Sequence, residues 1–318
     1  MLAVLLFVAG LAGVVAGAHF LVLGSSRLAA ALGVPSIVIG LTVVGIGTST
    51  PELVVSAAAA INDQPATALG NVVGSNIANV GLILGISALI VPLVPDRTVL
   101  SREGPILIGV SVVFMLVALT DSFEWWFGAI ALAGLAGFLV LSLRWSRDEP
   151  EPVVAQVEQF ETETGLVKAE PHWQSGLYIA GGIALLVAGG QSMVTGAVDI
   201  ADTIGIPEFV VASTLVALGT SMPELATSVV AAVRREADIA VGNIVGSNLF
   251  NLLGVLGLSA VLSPIPVDGA SQRIDLPFMT GLTVVGVLFA RQGFRLGRRE
   301  GAALLAAYII YIAWLVLR

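Results

Sequence analysis

The sequence predicts an all-α polytopic membrane protein: ten transmembrane helices forming two inverted five-helix repeats, with helices 2, 3, 7 and 8 broken. Three observations carry this prediction. The chain of 318 residues is 57% hydrophobic and only 11% charged, whereas soluble domains carry about 25% charged residues. Apolar runs long enough to cross a bilayer recur ten times. Finally, sliding the chain by 172 residues lays one half on the other without a gap: 26 of the 59 positions from Val34 to Pro92 match their partners.

The apolar runs place spans near residues 2–23, 35–60, 66–91, 104–120 and 124–143, then 174–197, 206–232, 239–262, 276–290 and 300–317. Trp125, Trp126, Trp173 and Trp314 fall near span ends, where amphipathic rings anchor at the interface. Of the 14 basic residues, 12 lie in alternate connections on one side; only Arg273 and Arg318 fall on the other. By the positive-inside rule the first side is cytoplasmic and both termini face out. The expected location is the cell membrane. The first apolar run is long enough to be kept as a span rather than removed as a leader.

An odd number of spans in each half makes the second half cross in the opposite sense. Two copies of opposite topology, related by an axis in the membrane plane, are the architecture of many secondary transporters. The expected organisation is a first repeat at 1–145 with its motif at 45–79, an acidic linker at 146–172, and a second repeat at 173–318 with its motif at 217–251. The linker, "RDEPEPVVAQVEQFETETG", lacks the spacing of an EF-hand loop and reads as a solvated, partly helical connection. The basic stretch from Arg291 to Arg299 reads as a topology signal in contact with anionic lipid.

Polar residues concentrate in the second and third span of each half. "GTSTPEL" at Gly47 and "GTSMPEL" at Gly219 each put a glutamate after a proline inside an apolar segment. Proline removes a backbone donor and clashes with the preceding turn, freeing the carbonyls of Gly47 and Gly219. Freed carbonyls at membrane depth persist where they line a cavity or meet a ligand. Thr48, Ser49, Glu52 and Ser56 share one helical face, as do Thr220, Ser221, Glu224 and Ser228. Ser75 and Asn79 are four apart in the next span, as are Ser247 and Asn251. Gly70, Gly74, Gly242 and Gly246 are positions for close helix approach. Brought together, these segments put two carboxylates within a ring of hydroxyl, amide and carbonyl oxygens. That is a donor set for hard cations: Ca²⁺ takes six to eight oxygens at about 2.3–2.6 Å, and Na⁺ can share the same carboxylates. Transition metals prefer nitrogen or sulfur donors; the sequence has no cysteine and only His19 and His172.

At these residues the chain resembles the sodium/calcium exchangers of the cation/calcium antiporter superfamily, prokaryotic type. The resemblance rests on "GTSTPEL…GNVVGSNIAN" and "GTSMPEL…GNIVGSNLFN" and on the ten-span layout. It implies that helices 1 and 6 slide over a core of the other eight, exchanging three Na⁺ for one Ca²⁺. It also implies calcium ligands Glu52 and Glu224 with the carbonyls of Thr48 and Thr220. Sodium ligands would be Thr48, Ser49, Ser75, Thr220, Ser221 and Ser247 with the carbonyls of Gly45 and Ala217, and Asn79 and Asn251 would close the centre. Asn251, where the potassium-dependent branch carries aspartate, points to a potassium-independent exchanger. The alternative is a proton-coupled calcium antiporter, a branch that typically surrounds its acidic residue with a different motif.

Other readings are weaker. Ser56 and Ser228 suit lining and packing equally. Asn71, Asn76, Asn243 and Asn248 read as pins of broken helices rather than ion ligands, and His19 as an interior or interfacial residue. A channel would not need paired inverted repeats around midplane carboxylates. An intramembrane hydrolase would need serine with histidine or lysine, or paired aspartates, within spans. No cofactor is expected, since Na⁺ and Ca²⁺ bind as substrates. The expected partners are these ions and the lipid bilayer, with no nucleic acid and no obligate protein partner.

Overall fold

The computed structural model describes residues 2–32, 36–95, 97–147, 172–203 and 217–317. The first half comprises α1 (Leu2–Leu32), α2 (residues 36–48), α3 (Thr50–Ile61), α4 (Pro65–Ile90), α5 (Arg97–Val117), β1 (Ser122–Phe123) and α6 (Trp125–Arg147). The second comprises α7 (His172–Thr203), α8 (Ala217–Thr220), α9 (Met222–Val233), α10 (Ala237–Leu262), β2 (Ile265–Pro266), α11 (Leu276–Arg291) and α12 (Arg298–Leu317). Among the described residues, seven helices are long and apolar enough to cross a membrane; the bent pair Gly40–Thr48 and Thr50–Ile61, turning by 51°, makes eight. The first part of the expected seventh span, and nearly all of the acidic linker, lie outside the described residues.

The helices sort into an inner and an outer layer. In α10 and α4, 89% and 72% of the most apolar stretch is buried, against 28% in α1 and α6. The outer helices instead present Leu2, Val8, Trp125, Ile130 and Ile310 to their surroundings. Such exposure is stable only where the surroundings are hydrocarbon.

One expectation is corrected. Helices 3 and 8 are not broken: Pro65–Ile90 and Ala237–Leu262 run continuously. Each contains a wide π turn instead, at Asn79–Leu84 and Phe250–Leu256. Neither stretch holds an interior proline, so nothing removes a backbone donor; the wider turn re-aims the side chains around Asn79 and Asn251 without a break. The expected breaks in helices 2 and 7 are present, at Ser49 and Ser221.

Two short β contacts tie each half to the other. Phe123 pairs with Ile265, and Leu93 bridges Leu296. Leu93 and Ile265 are the same position in the two halves, 172 residues apart.

The long helices α1 and α7 pack against each other along most of their length. Glycines spaced by seven make this possible. A methyl at Gly17 would lie 2.7 Å from the Leu186 amide nitrogen and 2.8 Å from the Gly182 carbonyl oxygen. One at Gly189 would lie 2.7 Å from the Val14 nitrogen and 2.8 Å from the Gly10 oxygen. Without water to drive apolar association, such backbone approach is what holds membrane helices together. Gly246 and Gly45 likewise admit a neighbouring backbone, that of Leu41 and of Gly246–Ser247 respectively. A methyl at Gly70 or Gly74, by contrast, would meet nothing within 4 Å, so these two are not close-approach sites.

Adjacent glycines give a matched test of this packing. A methyl at Gly182 would lie 2.7 Å from the Leu21 nitrogen, whereas Gly181 faces open space. Gly182→Ala is predicted to destabilise the purified protein by about 1–3 kcal/mol, the usual cost of overpacking. Gly181→Ala should be neutral or slightly stabilising, because alanine is the better helix former. Thermal melts of the two variants in one detergent check this; equal effects would refute the close-packed interface.

Candidate functional site

The two breaks build the site. Ser49 has φ −84° and ψ 9°, and Ser221 has φ −89° and ψ 8°, so each interrupts a helix with the same turn. Pro51 and Pro223 then fall in the first turn of α3 and α9, where a missing N–H costs no hydrogen bond. Glu52 and Glu224 follow in the same first turns. The N-terminal end of a helix carries partial positive charge, which partly compensates a carboxylate buried there.

The structure interleaves the halves at these residues. Ser49 Oγ donates to Glu224 Oε1 at 2.9 Å. Ser221 Oγ lies 3.4 Å from Glu52 Oε1 and 3.4 Å from Ser75 Oγ, and Ser75 Oγ is 3.4 Å from Glu52 Oε1. On the other side, Thr48 Oγ1 is 3.3 Å from Ser247 Oγ, and Ser247 Oγ donates to the Gly45 carbonyl at 3.3 Å. Eight of the twelve residues singled out in the sequence take part in these contacts, in three groups: Ser49 with Glu224, Ser75 and Ser221 with Glu52, and Thr48 and Ser247 with Gly45. Thr220 and Ala217 lie in α8, the short helix running into Ser221.

Glu52 and Glu224 are both 0% exposed. Each uses one carboxylate oxygen in the serine contacts, while Glu52 Oε2 and Glu224 Oε2 have no hydrogen-bond partner. Neither carboxylate is paired with a lysine or arginine among the described residues; every basic residue lies outside these segments. No cluster of three or more His, Asp or Glu side chains occurs among the described residues. The site is therefore two carboxylates among neutral oxygens.

Asn79 and Asn251 occupy a second, adjoining layer. Asn79 Nδ2 donates to Asn248 Oδ1 at 2.9 Å, and Asn251 Nδ2 to Asn76 Oδ1 at 3.4 Å. The Oδ1 atoms of Asn79 and Asn251 are buried without a partner, so both amides keep an oxygen to offer. Asn76 and Asn248 thus bond across the halves rather than capping a helix.

Asn71 and Asn243 do act as pins. Asn71 Nδ2 bonds the Glu52 carbonyl at 3.2 Å and Ser56 Oγ at 2.9 Å. Asn243 Nδ2 repeats both contacts, with the Glu224 carbonyl at 3.4 Å and Ser228 Oγ at 2.9 Å. Asn243 Oδ1 also accepts from Thr48 Oγ1 at 3.0 Å, coupling the two motifs directly. Ser56 and Ser228 are thereby engaged in holding the frame. Sequence reading missed Thr227, whose hydroxyl is buried without a partner. Its counterpart in the first half is Val55, so the repeat gave no signal for it.

The chain is similar to known proteins along nearly its whole length. The profile of the family described as sodium/calcium exchanger protein matches residues 2–144 and 175–317, nearly all of the chain outside the linker. The inner membrane protein YrbG of Escherichia coli is 36% identical over 99% of this chain and 97% of its own length. The sodium/calcium exchanger MaX1 of Methanosarcina acetivorans is 33% identical over 97% of each. Among solved structures, the sodium–calcium exchanger NCX_Mj soaked with Na⁺ and Sr²⁺ superposes with a TM-score of 0.85 at 31% identity, covering 98% of both chains. The buried carboxylate pair, the duplicated motif around it and these likenesses along the full chain make the protein a multi-pass membrane member of the sodium/calcium exchanger family.

Proposed function

We propose that the protein is a potassium-independent antiporter that exchanges Na⁺ for Ca²⁺ by alternating access, moving net charge. The observation that carries this reading is the pair of fully buried carboxylates, each with one unpartnered oxygen, surrounded only by neutral oxygen donors. In this reading Glu52 and Glu224 hold Ca²⁺ with the carbonyls of Thr48 and Thr220. Na⁺ ions use the same carboxylates with Thr48, Ser49, Ser75, Thr220, Ser221, Ser247 and the carbonyls of Gly45 and Ala217. Asn79 and Asn251 offer their free amide oxygens to the centre. Because the carboxylates are shared, the two kinds of ion exclude each other, and that exclusion is what makes the protein an exchanger.

Ten spans in two inverted repeats, 1–145 and 173–318 joined by the linker 146–172, complete the proposed architecture, in the cell membrane with both termini outside. The contacts of α1 and α7 support alternating access. Gly47 packs on Ile183 and Gly219 on Val194, so α7 lies across both motif glycines. At one face, α1 meets the α9–α10 turn: Ser26 Oγ donates to Glu236 Oε1 at 3.2 Å, and the Arg234 guanidinium lies 2.7 Å from His19 Nδ1. At the corresponding α3–α4 turn, Asn62, Asp63 and Gln64 are exposed. That inequality is expected of a conformer closed on one side and open on the other. Movement of α1 and α7 together along the core would exchange the two.

The test is uptake of radioactive calcium into sodium-loaded proteoliposomes diluted into sodium-free buffer, with potassium absent from both sides. Uptake is expected to need the outward sodium gradient and to fall at least a hundredfold in Glu52→Gln and Glu224→Gln. Uptake driven by a proton gradient and indifferent to sodium would overturn the coupling ion while leaving the site in place. A second prediction concerns the pins. Asn71→Ala and Asn243→Ala each strip buried hydrogen bonds from a glutamate-bearing helix, at about 1–3 kcal/mol per group left unsatisfied. Each is expected to raise the calcium concentration for half-maximal uptake about tenfold in protein that remains monodisperse. Unchanged half-saturation with reduced yield would leave them a packing role only.

A further inference from the structure

A second site, unrelated to the carboxylate pair, lies between α11 and α12. A groove of about 380 Å³ runs along these helices, lined by Phe278, Leu282, Val285, Phe289, Ala303 and Ala307 among others, all apolar. Phe278, which lines the groove, stacks on Tyr311 with ring centroids 4.6 Å apart. At one end the helices are joined through Arg291, Arg295, Arg298 and Arg299, all four exposed. Arg97 adds a fifth guanidinium, 4.5 Å over the Phe294 ring. Within residues 291–300 the single carboxylate is Glu300.

The arginines and the groove are in register. Arg299, Ala303 and Ala307 are spaced by four, so they form one stripe along α12, and Arg299 stands one turn before Ala303, which lines the groove. Small side chains at Ala303 and Ala307 leave room for an elongated apolar object, and the guanidinium one turn away suits an oxyanion. Arginine pairs with phosphate through parallel N–H donors. An object apolar along its length and anionic at its head, lying at membrane depth with the head at the interface, is an anionic phospholipid.

We propose that the α11–α12 groove, with Arg295 and Arg299 at its mouth, is a specific seat for one anionic phospholipid: an acyl chain in the groove and the phosphate on the arginines. Positive loops attract anionic lipid generally; this seat adds an apolar slot fixed in depth beneath a particular guanidinium. It therefore discriminates by headgroup and by groove shape together.

Native mass spectrometry of delipidated protein, titrated with palmitoyl-oleoyl phosphatidylglycerol or the matching phosphatidylcholine, tests the seat independently of transport. Wild type is expected to retain one phosphatidylglycerol at concentrations where phosphatidylcholine does not bind. The double variant Arg295→Gln/Arg299→Gln should bind it roughly 25-fold more weakly, about fivefold per arginine. Ala307→Phe, which fills the slot and keeps every charge, should lose the bound lipid. Arg144→Gln/Arg147→Gln, which removes two basic residues at the end of α6, should bind as wild type. Equal binding of the two lipids, a control as weak as the Arg295/Arg299 pair, or full binding by Ala307→Phe would each overturn the proposal.

Discussion

Everything else in this fold follows from holding two carboxylates in a medium that does not solvate charge. An ionised side chain at the centre of a bilayer costs several kcal/mol, and no basic residue lies in the segments that carry Glu52 and Glu224. What compensates them is local: the first turns of α3 and α9, and the hydroxyls of Ser49, Ser75 and Ser221. The proline breaks create those first turns in the middle of the protein, where an unbroken helix has no terminus to offer. Asn71 and Asn243 then hold the glutamate carbonyls, so the two half-helices present their acidic residues at fixed positions. Fixed position matters because hydroxyl and amide contacts at 2.9–3.4 Å weaken steeply as the donors move.

Duplication supplies the motif twice, yet the surroundings differ. Asn243 reaches across to Thr48, adding a buried amide to the serine contacts that join the two motifs. Thr227 presents a buried hydroxyl where the first half has Val55, which is more than a third exposed. The helices α1 and α7 pack closely against each other, and both contact α9. Two acidic helices of matching sequence thereby come to lie in unequal settings.

The acidic pair, its serines and the breaks at Ser49 and Ser221 were legible in the sequence because they depend on local chemistry: proline position, four-residue spacing and the repeat at 172 residues. The repeat also exposed the pins Asn71 and Asn243, whose role rests on a sequence separation of 19 from their glutamates in both halves. Three things were not legible. The continuity of α4 and α10 could not be read, since glycine and asparagine fit a broken helix and a π turn equally well. Close approach could not be assigned to particular glycines: Gly70 and Gly17 look alike in sequence, and only packing shows that one faces open space and the other a backbone. Contacts without a repeat partner, such as His19 with Arg234, leave no periodic trace at all.

The charge of the site constrains the proposed cycle further. Asn79, Asn248 and Asn251 are neutral, so the ring carries two negative charges and no more. In the proposed cycle one Ca²⁺ would cancel them, and the calcium-loaded protein would cross between its two states with no net charge in the hydrocarbon. Three Na⁺, the number the family resemblance implies, would leave one positive charge over. Moving that charge through the membrane field is worth about 2.3 kcal/mol per 100 mV, whereas the neutral calcium form feels no such bias. In that proposed cycle a membrane potential would act on the sodium-loaded transition alone, and an aspartate at position 251 would reverse the assignment by making three negative charges. On that proposal the amide at Asn251 would decide which half of the cycle is voltage-dependent, without itself having to bind either ion tightly.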